Sequence, residues 1–226
     1  MHRICLLAIS FFFIIPHVSA DLRTLDSLDV YIYPYDLLPE DILTDGPFER
    51  ALKIDGSTLL VWVNMHPTAK FAHETLYLLI SDQGIRTEKG QWYPVLNGRK
   101  ILYGERNSVG ITSPYLITPQ SAIPEARVDV HFYPYVFNSR DRLTDGPPPG
   151  DPIKIPGNTL LLWVDMQPFF RFAHKTAYIL ISHEGVRVEA GEWWPELNGR
   201  KILYGDQNKV MLLSPFKIHP SLSPKE

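Results

Sequence analysis

At 226 residues, 45% hydrophobic and 21% charged, the chain has the proportions of a folded globular protein. Its length suits one large domain or two of about a hundred residues. Twenty-five Asp and Glu against twenty-two Lys and Arg give a net charge of −3, which argues against a general nucleic-acid binder working through a basic face. Twenty prolines and fourteen glycines point to many turns between short strands.

Residues 1–20 read as a secretory signal peptide. Arg3 supplies the positive end, Ile4 to Ile15 is an apolar run broken only by Ser10, and Pro16 stops it. Val18-Ser19-Ala20 then offers the small residues at which a signal peptidase cuts. The run is too short to span a bilayer, which takes about twenty residues; a retained signal anchor is the alternative reading. Cleavage removes Cys5, the only cysteine, so a mature chain would carry neither a disulfide nor a thiolate zinc site. Cleavage also removes Arg3, leaving twenty-one basic against twenty-five acidic residues, a charge of −4. That charge gives no long-range steering towards anionic membranes or polyanions. The expectation is a secreted or periplasmic protein with no integral membrane segment in the mature chain.

The rest of the chain is one unit written twice. Asp29-Val30 and Tyr33-Pro34-Tyr35 recur as Asp129-Val130 and Tyr133-Pro134-Tyr135, and Leu43 to Pro47 recurs as Leu143 to Pro147. Phe71-Ala72-His73 returns as Phe172-Ala173-His174, and the octapeptide Asn97 to Gly104 returns unchanged as Asn198 to Gly205. The offset grows by one residue between Pro47 and Gly56. The division is a first repeat at 21–118, a linker at 119–127 marked by Pro119 and Pro124, and a second repeat at 128–226.

Within each repeat, Thr58 to Met65 and Thr159 to Met166 are apolar on both faces and predict buried strands. Thr75 to Ser81 and Ile85 to Glu88 flank Asp82-Gln83-Gly84 as a hairpin. Asn97-Gly98 between Trp92–Leu96 and Arg99–Tyr103 predicts a two-residue type I′ turn, in which both central residues take positive φ. Pro94 and Pro195 cannot donate to a ladder, so their strand is expected at an edge or a bulge. Five to seven short strands per repeat and no amphipathic helix give an all-β fold. Two tandem β-sandwich-like repeats fit best; the alternative is one composite sandwich or barrel built from both.

The predicted register separates the faces. Trp92 and Trp193 fall on the side kept in both copies and read as core; Tyr93 and Trp194 fall on the drifting side as a candidate aromatic platform. His73, Thr75, Tyr77, Leu79 and Ser81 occupy alternate positions and recur identically as His174, Thr176, Tyr178, Leu180 and Ser182. A row of hydroxyls and an imidazole can bind a polar ligand, or can form a buried network that satisfies itself. The candidate ligand-binding residues are therefore His73, Thr75, Tyr77 and Tyr93 with His174, Thr176, Tyr178 and Trp194.

No nucleophile elbow, phosphate loop or zincin motif is present. His73-Glu74-Thr75 lacks a second histidine, and Lys175 replaces Glu74 in the other copy. Asp41, Asp45 and Glu88 recur at 141, 145 and 189, so a loop calcium site stands beside a turn-forming role. Arg86 and Glu88 read as a surface ion pair. No cofactor and no metal are expected. The leading function is a non-enzymatic exported module that binds a glycan or an envelope protein. A structural envelope component is the alternative, and a hydrolase pairing His73 with Asp45 or Glu88 is a third reading.

Overall fold

The computed structural model describes residues 28–48, 50–102, 108–110, 115–117, 128–147, 149–203, 209–210 and 216–219. The expected signal peptide, the 119–127 linker and Tyr103 lie outside them. In the first half the strands are β1 (Asp29–Leu37), β2 (Leu43–Asp45), β3 (Arg50–Leu52), β4 (Thr58–Asn64) and β5 (Thr75–Ser81). They continue with β6 (Gly84–Gly90), β7 (Pro94–Leu96), β8 (Arg99–Lys100), β9 (Ser108–Gly110) and β10 (Tyr115–Ile117). The second half repeats them as β11 (Asp129–Phe137), β12 (Leu143–Asp145), β13 (Asp151–Ile153), β14 (Thr159–Asp165) and β15 (Thr176–Ser182). It ends with β16 (Gly185–Gly191), β17 (Pro195–Leu197), β18 (Arg200–Lys201), β19 (Lys209–Val210) and β20 (Phe216–His219). The fold is all-β, as expected, in two similar halves. Among the described residues no α-helix occurs, and no helix is long and apolar enough to cross a membrane.

Each half has a four-stranded sheet, β3-β2-β7-β8 or β13-β12-β17-β18, and contributes five strands to one six-stranded sheet and one to the other. The six-stranded sheets run β6-β5-β4-β1-β20-β9 and β16-β15-β14-β11-β10-β19. The strand next to one edge is exchanged between them. The last strand of the chain, β20, pairs antiparallel with the first, with Val30 opposite Ile218. Reciprocally β10 joins β11, with Ile117 opposite Val130. β9 and β19 then add parallel edges.

The alternation of a strand explains why β4 is apolar throughout. Leu59, Val61 and Val63 point one way and Leu60 and Trp62 the other. The first set belongs to a central core shared by both halves, in which Val30, Ile32, Val61 and Leu78 join Phe132, Leu162, Val164 and Ile179. The second set meets Leu43 and Leu52 of the small sheet in a core private to the first half. Leu161, Trp163 and Leu143 do the same in the second. The layers are therefore small, large, large and small.

Local chemistry follows the expected turns with two departures. Asn97 and Asn198, at φ 49° and 52°, and Gly98 and Gly199, both at 77°, form the I′ turns. Leu96 lies opposite Arg99 and Val95 opposite Lys100, as the turn requires. The strand carrying Pro94 is interior, however, between β2 and β8. Proline is accommodated there because it is the first residue of β7, where a strand tolerates it. Trp92 and Trp193 are half-buried and outside the three core clusters, each lying over a glycine with positive φ, Gly46 or Gly146. Tyr93 and Trp194 instead pack against the private cores. The extra residue of the second repeat sits between β12 and β13, a connection one longer than that between β2 and β3. Register also shifts between Tyr33 and Leu37 and between Tyr133 and Phe137, spanning prolines that have no N–H to offer.

Leu78 and Leu162 are fully buried in the central core from opposite halves. Leu78→Ala and Leu162→Ala should each cost about 2–5 kcal/mol and move the same single urea transition. Two transitions, each answering to one variant only, would contradict a shared core.

Candidate functional site

The retained polar face of β5 points into the private core of its half, where it meets a carboxylate of the small sheet. The Tyr77 hydroxyl lies 2.9 Å from both Asp45 Oδ1 and the Trp92 carbonyl, and Thr75 Oγ1 donates to the same carbonyl at 3.2 Å. The Asp45 carboxylate also accepts the backbone N–H groups of Gln91 and Trp92, each at 2.9 Å. A side chain on Gly90 would collide with the Tyr77 ring and the carboxylate, so the network requires glycine there. The second half repeats it: Tyr178 reaches Asp145 at 2.8 Å and the Trp193 carbonyl at 3.0 Å, while Glu192 and Trp193 N–H groups bind the carboxylate at 2.9 Å. Burial, reinforced by the adjacent Asp carboxylates, pushes the Tyr77 and Tyr178 hydroxyls far above the usual phenol range. Of the predicted site residues, Thr75, Tyr77, Thr176 and Tyr178 are thus enclosed and bonded inward. Asp45 and Asp145 clasp the large sheet to the small one.

His73 and His174 stand at the mouth of the same arrangement, partly buried. His73 Nδ1 donates to the Phe71 carbonyl at 2.6 Å, and Nε2 lies 2.8 Å from Asn64 Oδ1. His174 makes the matching contacts to Phe172 O at 2.5 Å and Asp165 Oδ1 at 2.9 Å. Asn64 and Asp165 also accept the backbone N–H of His66 and Gln167. Each imidazole therefore ties the end of one strand to the carbonyl of a loop phenylalanine. Burial raises the Asp165 carboxyl above the ordinary range; His174 opposes that rise. Asn64 meets the same geometry without a charge.

Beside each histidine lies an open groove between the small sheet and the strand ends. The first, of about 710 Å³, is walled by Asp45, Arg50, His73, Glu74, Lys89 and Gln91. The second, of about 940 Å³, is walled by Asp145, Asp151, His174, Lys175, Glu192 and Trp193. The position is common to both halves while the charged rim changes sign, Arg50 answering to Asp151 and Glu74 to Lys175.

The aromatic platform is elsewhere and carries a cation. Lys100 Nζ sits 3.5 Å from the centre of the Tyr93 ring, and Lys201 Nζ 3.4 Å from that of Trp194. Burial lowers both lysines from their ordinary values. The structure thus brings the histidines and the hydroxyl row to one end of each sandwich and leaves Tyr93 and Trp194 in another place. Sequence reasoning passed over Phe71 and Phe172, whose signal was the retained Phe-Ala-His triplet.

The carboxylates considered for calcium have other partners. Asp41 binds the Leu38 N–H at 2.8 Å and the Asn97 amide at 2.7 Å, anchoring the Asn-Gly turn, and Asp141 does likewise. Glu88 pairs with Arg50 at 2.7 Å and with Arg86 at 3.6 Å. Among the described residues no three His, Cys, Asp or Glu side chains cluster as a metal site.

Tyr77→Phe and Tyr178→Phe each remove a hydroxyl donor to a half-buried carboxylate and should cost about 1.5–3 kcal/mol in denaturant unfolding. His73→Ala and His174→Ala should keep the strand signal in circular dichroism but speed tryptic cleavage after Lys70 or Arg171, because the loop loses its tie. Unchanged cleavage would show that the histidines do not hold the loops. Comparison of the chain with family models, curated proteins and solved structures gives no match.

Proposed function

We propose that the protein is an exported, non-enzymatic binding module of the cell envelope or extracellular space. In this reading each half holds a polar ligand, a glycan or an envelope protein segment, in its histidine-lined groove. The observation that carries it is the same groove built twice, with His73 or His174 on the wall and the Asp45 or Asp145 clasp beneath. Mixed charges, amide and imidazole suit hydroxyls and peptide groups better than an apolar ligand. Two grooves on one chain add avidity where a repetitive target reaches both.

Holding is favoured over turnover because the groups that would work are occupied. Both ring nitrogens of His73 face oxygen atoms of the protein, and so do those of His174. A general base must be free to reach a substrate proton. Glu88, the other carboxylate weighed for a hydrolase, lies between two arginines.

The test is titration of the folded protein with a panel of envelope glycans and proteins, read by Trp fluorescence, since Trp193 walls the second groove. Gln91 and Glu192 are exposed, and the network uses only their backbone N–H groups. The double variant Gln91→Ala with Glu192→Ala should therefore fold normally and weaken a saturable response roughly tenfold, the equivalent of about 1.4 kcal/mol. A flat titration across the panel would move the reading to a structural envelope component.

A further inference from the structure

The connection between β14 and β15 carries three exposed phenylalanines. Phe169, Phe170 and Phe172 are 68%, 59% and 82% exposed. Isolated exposed apolar residues are ordinary, but three on one short loop are not. The equivalent loop of the first half has Thr68 and Ala69 in place of the first two and keeps only Phe71, which is 83% exposed. The loop is not loosely placed. His174 holds the Phe172 carbonyl, and the Phe170 N–H donates to the Gln167 carbonyl at 2.9 Å. The Phe170 ring lies 6.2 Å from the His174 ring. A tied backbone thus presents apolar side chains outward.

Arg171 answers to Lys70 of the first loop, and the charges differ at the base of the loop. In the first half Glu74 is paired with Lys89 at 3.1 Å. The counterparts are Lys175 and Ala190, so the acid has become a base and its cationic partner has gone. Arg171 stands between Phe170 and Phe172 and is exposed. Neither Arg171 nor Lys175 has an ion-pair partner among the described residues. The loop is an exposed apolar segment with Arg171 within it and Lys175 at its base.

We propose that the 167–175 loop is a membrane-contact tip that enters the interfacial region of an anionic bilayer. The phenylalanines would be buried among acyl chains and headgroups while Arg171 and Lys175 meet lipid phosphates. Interfacial binding draws on these two contributions together, apolar burial and attraction to anionic headgroups. The chain's overall negative charge does not oppose this at close range, because charges more than about 8 Å away are largely screened at physiological salt. A deformable surface suits three rings each more than half exposed, because it takes them in without a preformed pocket for each. The first loop, with one phenylalanine and its glutamate already paired, makes the weaker contact.

The experiment is flotation of the full chain with equimolar phosphatidylcholine and phosphatidylglycerol vesicles, and with phosphatidylcholine alone. Binding is expected to the anionic vesicles only and to fall with salt. Phe170→Ser with Phe172→Ser should lower it at least tenfold, since burying one phenylalanine is worth about that factor. Arg171→Glu should lower it and flatten its salt dependence, whereas Phe71→Ser should have a smaller effect. All these side chains are exposed, and unchanged circular dichroism would confirm that the variants fold. No flotation of the parent, or equal flotation of the parent and the double variant, would overturn the proposal. Capture of a soluble protein by the loop without vesicle binding would also overturn it, in favour of a protein partner.

Discussion

The inner strands β4 and β5, like β14 and β15, are buried on both faces, and strands of that kind must be covered twice. One face is covered by the small sheet of the same half. The other has only the large sheet of the opposite half to pack against. With no cysteine among residues 21–226, burial of this surface carries the stability that a small extracellular domain often draws from cross-links. The exchanged strands add to the constraint, because each large sheet also takes one hydrogen-bonded strand from the other half's sequence.

The same layering explains what the two copies kept and what they let change. The retained face of β5 lies in the private core, where Tyr77 must reach Asp45 and Gly90 must stay small. Hydrogen-bond geometry leaves little freedom, and the second half reproduces each contact. The opposite face lies in the central core, where Leu76 answers to Ala177 and Ile32 to Phe132. There volume can be lost at one position and restored at another across the interface. Polar geometry is fixed locally, whereas apolar volume is settled between the halves. His73 and His174 extend the polar clasp outward and turn a buried network into a positioned loop.

Much of this was legible in the residues. Doubly apolar runs announced β4 and β14, and Asn97-Gly98 announced its turn, because positive φ at two consecutive residues is a strong local demand. Local signals misjudged Trp92 and Tyr93, since the alternation of β7 ends at Pro94 and the chain turns before Trp92. The hydroxyl row was recognised as polar, but its partner Asp45 is far away in sequence and no periodicity links them. The strand exchange left no local trace, because β10 and β20 look alike in both copies and either could belong to either sheet. The exposed phenylalanines were read only as markers of the repeat, for a sequence does not state which apolar residues stay uncovered.

That likeness has a consequence for how the molecule is made. The first strand is completed by the last, so a chain made from the N-terminus carries β1 with an open edge until almost everything has followed. During that interval β10 is present, is the counterpart of β20, and has Tyr115 at the register position that Phe216 takes in β20. A near-duplicate competitor thus arrives well before the proper partner. Such distant pairing is intrinsically slow, and the correct choice depends on β11 claiming β10 first, through the short connection between them. Duplication gave this protein its symmetry and also a kinetic decision that an unduplicated sandwich does not face.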